Sequence, residues 1–82
     1  MKDYSKLLTS DEWHALKTAI LCAYYSGVEQ SKEFDRLPEI LKRSEPGKEI
    51  ESFLAGDKDA LNRAASLMTG GDPRAWMALE KS

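Results

Sequence analysis

Cysteine and histidine each occur once in these 82 residues, and those two scarcities remove most of the chemistry that a chain this short can carry. Cys22 has no second cysteine to pair with, so no internal disulfide staples the fold and a reducing compartment is implied. His14 alone cannot supply a two-histidine zinc site, and a nucleophile–histidine–acid arrangement would have to rest on that one imidazole. Long apolar runs are also missing. The longest, Ala19 to Tyr25, falls far short of the roughly 20 residues needed to cross a bilayer. The opening Met1-Lys2-Asp3-Tyr4 is too polar to lead a secretory signal, so a cytoplasmic location with no membrane partner is expected.

Blocks of one charge sign are lacking too. Lys plus Arg number 12 against 14 for Asp plus Glu, a formal net charge of -2, with the signs interleaved along the chain. That balance shows neither a basic footprint for nucleic acid nor the dense acidity of a nucleic-acid mimic, so a nucleic-acid partner is not the first expectation. Val and Ile are scarce and no stretch alternates apolar with polar residues, which argues against a sheet. One domain spanning 1–82 is expected, because a chain of this length supports a single modest core.

What the sequence does contain is helix punctuation. Thr9-Ser10-Asp11-Glu12 is a capping box, with Leu8 and Trp13 placed to close a hydrophobic staple, so a helix is expected from Ser10 to about Ser26. Residues 1–8 before it are read as flexible or extended. At 100° per residue, Trp13, Leu16, Ile20, Ala23 and Tyr24 share a stripe that should enter the core. Gly27 can end this helix in the left-handed conformation, and Val28 to Arg36 is mostly polar. Asp35 is read as the cap of a short helix, Arg36 to Arg43, with Leu37, Ile40 and Leu41 inward; a kinked helix starting near Ser31 is the competitor. Ser44 and Pro46 open another helix that Gly56 ends. Asp57 caps Lys58 to Thr69, Gly70-Gly71 terminates it, and Asp72-Pro73 begin a last helix with Trp76 and Leu79 inward. The expected fold is therefore all-α: a compact orthogonal bundle of four to five short helices, the first longest and central. The repeated Gly-Asp punctuation has too short a period for a two-helix repeat array, and no family resemblance is carried by these residues.

No constellation for catalysis, cofactor or metal emerges. His14, Thr18 and Cys22 follow one another at i, i+4 steps, yet a mid-helix cysteine among Leu21, Ala23 and Tyr24 reads as a small hydrophobe. The pairs Asp11-Glu12, Glu49-Glu51 and Asp57-Asp59 sit near helix starts, where the macrodipole favours negative charge. Gly70-Gly71-Asp72-Pro73 lacks the lysine and hydroxyl of a phosphate loop, and Asp72 would repel an anion.

Surfaces remain. The side of the first helix opposite the core stripe carries His14, Thr18, Leu21 and Tyr25, too apolar for plain solvation, and is the candidate site for a larger protein partner or a second copy. The expected function is non-catalytic protein binding, and size with absence of motif suits a phage or mobile-element inhibitor or adaptor of a larger host protein. The alternative is a helix-turn-helix regulator over residues 46–69, presenting Lys58, Asn62, Arg63 and Ser66 to DNA. Against it, Asp57 and Asp59 stand at the end that would enter the groove. A subunit completing a shared enzyme site ranks third.

Overall fold

The computed structural model describes residues 4–26 and 32–81, and among these every regular element is helical. In chain order they are α1 (Tyr4–Leu7), α2 (Ser10–Ser26), α3 (Lys32–Asp35), α4 (Glu39–Lys42), α5 (Glu45–Leu54), α6 (Ala60–Met68) and α7 (Ala75–Lys81). Three are single turns, so the bundle is built from α2, α5, α6 and α7. Residues 4–7 form a turn of helix with Tyr4 buried, where flexible or extended chain was expected. The expected termination at Gly27 lies outside the described residues.

Local chemistry accounts for the start of α2. The Thr9 backbone N–H donates to Glu12 Oε1 at 3.0 Å and the Glu12 N–H donates to Thr9 Oγ1 at 3.2 Å, which is the reciprocal box the sequence spells out. Leu16, Ala19, Ile20 and Ala23 then enter the core, while Trp13 is half-buried and Tyr24 is exposed at its edge. Two of the five residues expected on the core stripe thus lie at its margin. α2 is the longest helix and packs against α3, α5 and α6.

The helix expected from Arg36 to Arg43 is cut to α4, Glu39–Lys42, and a separate turn, α3, precedes it, so the pair of turns either side of Pro38 lies closer to the competing reading of a kinked helix from near Ser31. Asp35 ends α3 instead of capping a helix, and Pro38, with φ -58° and ψ 150°, stands as the N-cap of α4. The cause lies in proline itself: it has no N–H to donate, and its ring pushes Leu37 out of the helical region. Leu37 and Leu41 bracket the break and are both buried, as expected. Ile40 is not. It is 72% exposed, because a four-residue turn anchored by Leu37 and Leu41 has one face to offer the core and Ile40 lies off it.

Ser44 begins α5 as anticipated. Its Oγ accepts from the Gly47 N–H at 3.2 Å and donates to the Leu41 carbonyl at 2.5 Å, so one hydroxyl ties the end of α4 to the start of α5. The approach there is so close that a Cβ on Gly47 would lie 2.1 Å from the Leu41 carbonyl oxygen. Only glycine allows that crossing. At its other end α5 closes on Gly56, where φ is +115°, and the Asp57 N–H reaches back to the Ser52 carbonyl at 3.0 Å.

α6 starts two residues later than expected. Asp57 Oδ1 accepts from the Asp59 N–H at 3.1 Å, which caps a preceding turn and leaves Lys58 on that turn, not on the helix. Asp72 does the same for Arg74, and α7 begins at Ala75. Ala60, Leu61, Ala64, Ala65 and Met68 form the buried stripe of α6, whose small residues let α5 pack closely; α6 also meets α1, α2 and α7. Leu16, Ile20, Ile50, Met68 and Leu79 are fully buried and mark the centre of the core.

Candidate functional site

The side chains with chemical potential on α2 are occupied by structure or by solvent. Thr18 Oγ1 donates to the His14 carbonyl at 2.9 Å, so its hydroxyl proton serves its own helix and not the imidazole. His14 is exposed, its ring edge-on to Trp13 at 5.5 Å, and Cys22 is half-buried. Among the described residues no group of His, Cys, Asp or Glu converges to hold a metal ion.

The four residues expected to form a patch on α2 lie as a stripe. His14, Thr18 and Tyr25 are exposed and Leu21 is half-buried, but His14 and Tyr25 are about 16 Å apart at 1.5 Å of rise per residue. Tyr25 belongs instead to a second grouping. Its hydroxyl donates to the Glu80 carboxylate on α7, and that bond to an anion holds the phenol in its protonated form and raises its pKa. Beside it Tyr24 meets the Tyr25 ring edge-on at 5.0 Å and the Trp76 ring at 4.4 Å with a 41° tilt. Trp76, half-buried, donates from Nε1 to Asn62 Oδ1 at 2.8 Å. An aromatic cluster thus joins the C-terminal end of α2 to α7, with Asn62 of α6 beneath it.

Of the residues proposed for DNA, Lys58, Asn62 and Arg63 are exposed and Ser66 is half-buried, but they are not free as a set. Arg63 is paired with both Glu49 and Asp57, which keeps its guanidinium charged and raises its pKa, while the same bond holds the Asp57 carboxyl below its ordinary value. A guanidinium already answered by two carboxylates has little left for a phosphate.

Three open concavities, of about 560, 420 and 500 Å³, adjoin this region, and Asn62 lines all of them. The first lies between α5 and α6, the second between α6 and the start of α7, and the third beneath Tyr24 and Trp76. Sequence reasoning missed the pairing of Trp76 with Tyr24 and Asn62. The residues are far apart in the chain, and no local rule brings α7 onto the end of α2. The chain matches no protein-family model, no curated protein and no solved structure.

Proposed function

We propose that the protein acts without catalysis, docking onto a larger protein through the aromatic face formed by Tyr24, Tyr25 and Trp76. The observation that carries this reading is the exposure of the two tyrosines, 52% and 67%, next to half-buried Trp76 and to Met77, itself 48% exposed. Tyrosine and tryptophan are the side chains that supply most binding energy at protein interfaces, because they bury large area at low entropy cost. Here the ring contacts already restrict their rotamers, which lowers the cost of ordering them on binding. The partner class that accompanies this reading is a host protein held by a phage-type or mobile-element inhibitor or adaptor, with a second copy of the chain as the other arm of the test. A helix-turn-helix role has less support, since Arg63 is neutralised by Glu49 and Asp57 at the relevant end of α6.

A photo-crosslinking residue placed at Tyr25 or Met77 in the native cell should trap one protein, identified by mass spectrometry, and the same residue at exposed Ile40 should not. Tyr24→Ala should abolish that adduct while the melting temperature stays within a few degrees. Adducts of equal yield at all three positions, or DNA binding that falls steeply with salt, would overturn the reading.

A further inference from the structure

Of the four helices that build the bundle, α7 buries the least. Leu79 is its one buried residue among those described, whereas α6 buries Ala60, Leu61, Ala64, Ala65 and Met68 and accepts the Trp13 indole N–H at its last turn. Three further attachments of α7 lie at the edge of the molecule. Trp76 Nε1 donates to Asn62 Oδ1 at 2.8 Å, the Trp76 ring leans on Tyr24 at 4.4 Å, and the Tyr25 hydroxyl donates to the Glu80 carboxylate. Hydrogen bonds within reach of water are replaced by water at small net cost. Seven residues are also too few to hold a helix in water unaided, so α7 is helical only while it is docked.

The join to α6 permits movement. Gly70 and Gly71 follow one another with φ of +67° and +84°, and residues 70–74 are all exposed, so redirecting the chain there breaks no buried contact. Glycine takes left-handed and right-handed backbone alike, which lets the segment change direction without strain. The aromatic face straddles this join: Tyr24 and Tyr25 come from α2, Trp76 and Met77 from α7. We propose that α7 is a strap that leaves and rejoins the bundle as one unit about Gly70-Gly71 while α2, α5 and α6 stay folded, and that its docking assembles the aromatic face. Control of the face rests on the docking role proposed above; the motion of α7 does not.

Amide hydrogen exchange of the full chain, followed by NMR at low urea concentrations, tests the motion. Amides at 78–81 should exchange through openings about a hundredfold more frequent than those at 64–68, with a weaker dependence on urea because a local opening exposes less surface. Thr9→Ala loosens α2 in the docked and undocked forms alike, so it should speed exchange at 64–68 about fivefold and leave 78–81 unchanged. Leu79→Ala removes the buried anchor, and it should abolish protection at 78–81 while 64–68 remain protected. Equal exchange in the two segments, a parallel rise in Thr9→Ala, or loss of protection at 64–68 in Leu79→Ala would overturn the strap. The photo-crosslink at Tyr25 reads the face: Leu79→Ala should lose the adduct although Leu79 lies inside the fold, and an undiminished adduct would overturn control by α7. If the wild-type chain gives no Tyr25 adduct while 78–81 open alone, the docking role fails and the strap stands; an adduct with 78–81 opening only together with 64–68 reverses that outcome.

Discussion

The two ends of α2 are made of similar residues and are used differently. At its N-terminal end Trp13 is half-buried, packs on the core and donates from Nε1 to the Met68 carbonyl at 2.9 Å, tying α2 to the last turn of α6. At its C-terminal end Tyr24 and Tyr25 lie open to solvent, held by an edge-on contact with each other, a tilted contact of Tyr24 with Trp76 and one hydroxyl bond to a carboxylate. The first aromatic closes an orphan carbonyl at a helix end, a need of the fold; the second pair closes nothing buried. Aromatic residues at the same helical spacing can thus be core or contact surface, and what separates them is whether a polar group beneath them needs a partner.

Substitutions can break or sharpen that contrast. Trp13→Ala should cost about 3 kcal/mol in urea unfolding, the low end for a large aromatic because the ring is half-buried. Trp13→Phe keeps most of the area and removes the donor, and about 1 to 2 kcal/mol is expected for the carbonyl left behind. Thr9→Ala should lose about 1 kcal/mol by opening the capping box at the same end. Tyr24→Ala at the opposite end should cost less than about 1 kcal/mol, and an effect as large as that of Trp13→Ala would erase the distinction.

The smallest effect is a pH dependence. The Arg63 bond lowers the Asp57 pKa on folding, so the contribution of this pair is present above the ordinary carboxylate value of 3.8 and fades as pH falls below it. Melting curves of the wild-type protein and Asp57→Asn should differ slightly at pH 7 and converge in acid. A gap that persists undiminished at low pH would show that Asp57 acts through its turn bond to the Asp59 N–H and not through its charge.

What was legible followed from distance along the chain. The box at Thr9, the hydroxyl cap at Ser44 and the glycine stops at Gly56 and Gly70 each join residues within a few positions, so residue type and spacing suffice to locate them. Errors arose where a local rule had two solutions. Pro38 fits either a first turn or an N-cap, and Asp57 can cap a helix or a turn before one; packing of Leu37 and Leu41 and the late start of α6 decided between them. At the candidate site, Tyr25 was legible as an exposed aromatic, whereas Asn62 and Trp76 were read separately, one as a DNA contact and one as core.

The residues alone determined that the chain is helical, where most helices begin and stop, and which apolar stripes seek one another, because hydrogen-bond caps and 3.6-residue periodicity act over a few bonds. Only the tertiary structure decided which aromatic would close the end of α6, which carboxylates would neutralise Arg63, and that Trp76 would orient the amide of Asn62. Those outcomes depend on how helices distant in sequence cross, and the crossing is set by the volumes packed between them, as at Gly47, where a single methyl group would hold two elements apart.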